Sequence, residues 1–135
     1  MVMQGLLIAD EDLVTRKRMA DLFIDDGYDV TVTNSAAGVL YGILKKTAQV
    51  VLLSTRFDEL LATELIPILK QCNRNLTIIL VASELPLALI RKARREGIFY
   101  HALKPRKPDD EEELRQAVRC AFAKLTNNKE VQQLQ

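Results

Sequence analysis

The sequence alternates between short apolar runs and stretches whose apolar residues recur at helical spacing, and it does so from end to end. The runs are Leu6–Ala9, Tyr28–Thr33, Val50–Leu53, Ile78–Ala82 and Phe99–Leu103. Strands that alternate with helices specify an α/β chain: a parallel sheet, helices on both faces, right-handed crossovers. Val50–Leu53 is continuously apolar, as strands buried on both faces are, whereas Tyr28–Thr33 alternates and predicts a strand with one wetter face.

The segments between them carry helix punctuation. Val14, Met19, Leu22 and Phe23 recur at helical spacing over 13–26, a helix that Gly27 stops. Asn34 or Ser35 can cap a second helix that runs to about Lys46. A third spans Thr63 to Gln71, its late start chosen to keep Pro67 near the first turn. Pro86 opens a fourth, and Gly97 follows its end at Glu96. Acids at 109–113 suit the positive end of a fifth helix, which shows Leu114, Ala117, Val118, Ala121, Phe122 and Leu125 on one face. The polar stretch 127–135 is expected to fray, leaving one domain over 1–126.

Composition removes several function classes. Nineteen basic against eighteen acidic residues leave a charge of +1, so no overall field draws in nucleic acid or anionic lipid. Cys72 and Cys120 stand far apart and the only histidine is His101, which argues against a zinc site or disulfide framework and fits a reducing cytoplasm. The start M-V-M-Q-G-L-L-I-A-D has no basic region of a signal peptide, and no run approaches the roughly 20 apolar residues of a membrane span.

In open parallel sheets, sites form beyond the carboxyl ends of the strands. Those ends read Asp10-Glu11-Asp12, Ser54, Ala82-Ser83 and Lys104-Pro105. Acids that could hold a hard cation, facing a lysine that could meet a phosphoryl group, suggest magnesium-phosphoryl chemistry. The stretches L-L-I-A-D-E-D, V-V-L-L-S, T-I-I-L-V-A-S and A-L-K-P, in this order, resemble the receiver domain of two-component response regulators over 4–126. The resemblance implies a flavodoxin-like (βα)5 three-layer sandwich with strand order 2-1-3-4-5. It also implies a non-enzymatic signalling role in which a histidine kinase would give a phosphoryl group to an aspartate ending the third strand.

Carried over by position, Asp10 and Glu11 match the magnesium-binding acids and Lys104 the phosphoryl-contacting lysine. The acceptor position falls on Ser54. The hydroxyl residue ending the fourth strand falls on Ala82, or on Ser83 after a slip of one residue. Serine's hydroxyl is neutral and needs a base to become nucleophilic, so the expectation is a pseudo-receiver with weak or lost Mg2+ binding and no other cofactor. Alternatives are an unorthodox acceptor (Ser54, Thr55 or Asp58) and, last, nucleic-acid binding through a basic helix. His101 takes the place of a switch aromatic and is expected to be satisfied by a local hydrogen bond, with Tyr100 on the opposite face. The Lys104–Pro105 bond is expected to be cis. Arg91, Lys92, Arg94 and Arg95, with Arg106, Lys107, Arg115 and Arg119 expected nearby, suggest a surface for a signalling partner. The acids at 109–113 of a second copy could also dock there, giving a homodimer through the fourth helix, fifth strand and fifth helix.

Overall fold

A computed structural model describes residues 4–58 and 60–134, with side chains described through Asn127. Strands β1 (Gly5–Ala9), β2 (Asp29–Thr33), β3 (Val50–Leu53), β6 (Thr77–Ala82) and β7 (Tyr100–Leu103) form one parallel sheet in the order β2-β1-β3-β6-β7. Taken in chain order, this is the expected 2-1-3-4-5.

Burial explains the sequence pattern. Every residue of β1, β3 and β6 is buried, since each of these strands has a neighbour on both sides and helices above and below. Leu7, Ala9, Val51, Leu53, Ile78 and Leu80 pack beneath α2 (Ala36–Leu44), α3 (Ala62–Cys72) and α4 (Leu87–Glu96). Alternate residues Leu6, Ile8, Val50, Leu52, Ile79 and Val81 pack beneath α1 (Leu13–Asp25) and α5 (Pro108–Leu134). The edge strands β2 and β7 carry the exposed positions.

Local chemistry sets the helix ends. Asp12 caps α1 by accepting from Thr15 N, and Ser35, rather than Asn34, caps α2 by accepting from Gly38 N. Gly97 ends α4 at φ 106°, a left-handed conformation that a side chain would strain.

Four features differ from expectation. Helix α3 begins at Ala62, so Pro67 sits in the second turn, where its ring removes the bond that would reach the Thr63 carbonyl. Helix α5 runs on to Leu134 through the stretch expected to fray; Gln135 lies outside the described residues. The Lys104–Pro105 bond is trans. The turn into α5 is held instead by Asp110, whose Oδ2 accepts from Arg106 N and Lys107 N at 3.2 Å each. Last, between β3 and α3 lies a small antiparallel hairpin, β4 (Arg56–Phe57) with β5 (Leu60–Leu61), which turns through Asp58 at φ 52°. Phe57 anchors it, fully buried in the core.

Candidate functional site

Backbone ladders fix the three side chains that matter most. Asp10 N donates to Thr33 O, Ser54 N to Ala9 O, and Lys104 N to Ala82 O, all at 3.0–3.1 Å. The sheet therefore delivers Asp10, Ser54 and Lys104 to one edge, where with Glu11, Asp12, Thr55 and Arg56 they line a cleft of about 330 Å³.

Asp10 and Ser54 are buried, with 1% and 4% exposure. Asp10 Oδ1 accepts from Asp12 N at 2.9 Å. Its Oδ2 has no hydrogen-bond donor among the described residues and lies 3.6 Å from Lys104 Nζ. Glu11 Oε1 accepts from Asp58 N, which ties the hairpin tip to the acidic loop. Asp12 is committed to its capping role, and the hydroxyl and N–H of Thr15 hold its carboxyl below the ordinary value.

Asp10 and Glu11 are the residues that would hold a magnesium ion, which usually takes one or two protein carboxylates and keeps several waters. A hard cation of this kind wants several oxygens in near-octahedral array. Here Asp10 Oδ2 is a carboxylate oxygen without a hydrogen bond from the described residues, and an ammonium already faces it. Among the described residues no group of three or more His, Cys, Asp or Glu side chains could hold a metal.

Ala82 is the last residue of β6 and pairs with Leu103, so the strand ends on a methyl group. The hydroxyl of Ser83, one residue on, bonds Arg106 Nη2 at 3.2 Å. It lines a neighbouring cavity of about 450 Å³ with Glu84, Leu103, Lys104, Arg106 and Asp110.

His101 pairs in register with Leu80, and Tyr100 takes the opposite face, its hydroxyl 3.3 Å from Glu113 Oε1. The expected local bond to His101 is not found among the described residues, where Nε2 is buried without a partner. Burial, aided by the nearby Arg94 charge and opposed by Glu113, pulls the His101 pKa below its ordinary value. The folded state thus favours neutral imidazole. Its contribution is present above the unfolded pKa of about 6.5 and is lost as pH falls from there through the lower folded value. Between pH 7 and pH 5.5 the melting temperature of the wild type should fall further than that of His101→Phe; equal slopes in thermal scans would refute this.

The basic residues separate into two groups. Arg91, Lys92, Arg94 and Arg95 are exposed on α4, and none pairs with an acid among the described residues. Arg115 instead reaches Asp26 at 3.0 Å and Glu112 at 3.9 Å, and Arg119 reaches Glu112 at 2.9 Å. Both lie on the flank of α5 that faces α1, so they do not extend the α4 cluster as expected. Arg106 is drawn to Ser83 by its side chain and, with Lys107, to Asp110 by its backbone.

Two site residues carried no sequence signal. Arg56 reaches the cleft because the hairpin turns it there, and strands of two residues leave no readable period. Arg16 Nη1 braces the acidic loop by donating to Asp10 O at 2.8 Å.

The family model for the response regulator receiver domain matches residues 6–119. No curated protein matches the chain by sequence. A two-component response regulator from Clostridium difficile superimposes with a TM-score of 0.82 at 14% identity, over 90% of this chain and 98% of that one. A receiver domain protein from Clostridium thermocellum gives 0.80 at 17% identity, over 92% and 98%. The signal receiver domain of an HD domain-containing protein from Pseudomonas fluorescens Pf-5 gives 0.79 at 23% identity, over 93% and 94%. At such identities the likeness speaks for the fold.

Proposed function

This chain belongs to the response regulator receiver domain family, and on that premise we propose a pseudo-receiver: a non-enzymatic signalling domain that works through protein–protein contacts without phosphorylation. One observation carries the reading. The third strand of the sheet ends on a buried serine, and the lysine that would meet a phosphoryl group faces the buried Asp10 instead. A neutral hydroxyl supplies neither the nucleophile nor the charge that a carboxylate would. Ala82 has no donor for a phosphoryl oxygen. The rival acceptor Asp58 lies in the hairpin turn, its N–H held by Glu11.

The contact surface is α4 and β7. Its four basic side chains lie beside the half-exposed Leu87, Tyr100 and Leu103. A histidine kinase or another signalling protein that presents acids fits this surface best. A second copy fits less well, because Asp110, Glu111, Glu112 and Glu113 already have partners within the chain. Nucleic acid finds no aromatic platform on α4. A reducing cytoplasm suits the free, exposed Cys72 and Cys120.

Reversing Arg91 and Arg95 to glutamate should weaken partner capture at least tenfold while changing stability by under about 0.5 kcal/mol, since both are exposed. Capture on immobilised protein, with denaturation in parallel, checks both halves. Capture by the wild type should be the same with or without a small phosphodonor and magnesium; a phosphodonor-dependent change would count against the reading.

A further inference from the structure

The sheet has two edges, and their charges differ. Edge strands present unpaired N–H and C=O groups, and natural proteins usually blunt them with lysine, proline or a bulge. The β2 edge has none of these: it reads Asp-Val-Thr-Val-Thr, five residues with a single charge at its start. Asp29 N donates to Gln4 O and Thr33 O accepts from Asp10 N, so residues 29, 31 and 33 turn their backbone groups toward β1. By alternation, Val30 and Val32 turn theirs outward, and no further strand meets them among the described residues.

We propose that this edge pairs antiparallel with the same edge of a second copy, about a two-fold axis through Thr31, to make one continuous sheet. The register follows from the residues. Val30 lies opposite the partner's Val32 as a hydrogen-bonded pair, the outward groups of each exchanging both bonds. Thr31 lies opposite the partner's Thr31 as a non-hydrogen-bonded pair, and Asp29 opposite the partner's Thr33. No like charges meet, and β-branched side chains face one another, an arrangement that favours cross-strand pairing.

The helix above the edge matches. Arg18 reaches Glu111 on α5 at 2.7 Å, which fixes one flank of α1. By helical spacing Leu13 and Ile24 fall on the other side of α1 from Arg18, toward β2, while Lys17 points away from the sheet, opposite the buried Met19 and Leu22. Leu13 and Ile24 are 65% and 56% exposed and Val32 is 51% exposed, an apolar strip on the edge and the helix flank above it. In an antiparallel pairing, Leu13 faces the partner's Ile24. The β7 edge is unsuited to self-pairing, since a two-fold there sets the unpaired cations of α4 against their own copies.

The test uses the whole chain in sedimentation velocity over a concentration series. The wild type should dimerise with a Kd of roughly micromolar order, as a modest interface allows. Thr31→Lys, which opposes two ammonium groups at the axis, should weaken the dimer at least tenfold. Val32→Pro removes an outward N–H that no strand of the monomer uses, and should do the same while circular dichroism stays unchanged. Arg91→Glu should leave the dimer intact. With Cys72 and Cys120 replaced by serine, Thr31→Cys should cross-link to its own copy on mild oxidation, and Thr33→Cys should not. A monomer at every concentration would overturn the proposal, as would a dimer that both β2 variants leave unchanged or one broken by Arg91→Glu alone. None of these outcomes depends on whether Ser54 can be phosphorylated.

Discussion

Replacing Phe57 by alanine is expected to destabilise the domain by about 3–5 kcal/mol, the usual cost of truncating a fully buried phenylalanine. The side chain joins β4 to the core beneath α2, α3 and α4, among Leu53, Leu65 and Leu80. It also anchors the hairpin that brings Arg56 to the cleft and Asp58 to Glu11. Its loss removes buried apolar contact and leaves a cavity that the short hairpin cannot collapse to fill. Urea denaturation should show a lower midpoint with an unchanged slope. A loss below about 1 kcal/mol would mean that the hairpin is not packed as described.

The fold was legible because helix and strand periods are long and consistent. The buried strands read as apolar runs, and the cap Ser35 and the stops Gly27 and Gly97 fell where the backbone needed them, whereas the Asp12 cap of the first helix went unread. The positions of Asp10, Ser54 and Lys104 followed from strand order alone, since a parallel sheet gathers its carboxyl ends at one edge. What the sequence hid depended on contacts between distant residues. The hairpin after Ser54 has too few residues for a period. Nothing in the charge run at 109–113 says that Asp110 would hold the turn after Lys104. Arg115 and Arg119 look like neighbours of the α4 cluster until Asp26 and Glu112 show which way α5 is rotated.

Ser54→Asp should restore part of what the cleft lacks. The new carboxylate would join Asp10, giving two buried acids within reach of Lys104 and a nucleophile that is ionised at neutral pH. In metal-free buffer the variant should be less stable by about 1–3 kcal/mol, because position 54 is almost wholly buried and already beside a carboxylate. Its Mg2+ affinity should rise at least tenfold over the wild type, and a small phosphodonor should then modify it. The response at the α4 and β7 surface should stay weak, since Ala82 cannot donate to a phosphoryl oxygen. A hydrogen bond to a charged group contributes about 1.5–3 kcal/mol, so adding Ala82→Thr should raise the phosphorylated population and its effect on that surface. Calorimetric Mg2+ titration and amide exchange at β7 across the wild type, the single variant and the double variant test this ordering. A single variant that matches the double would show that the methyl at Ala82 is not a limit.

The central claim is that the cleft does not take a phosphoryl group, and intact mass measures it directly. Wild-type protein held with a small phosphodonor and excess magnesium should keep its unmodified mass while Ser54→Asp, treated alongside, gains a phosphoryl adduct. A stable adduct on the wild type that maps to Ser54 would contradict the account.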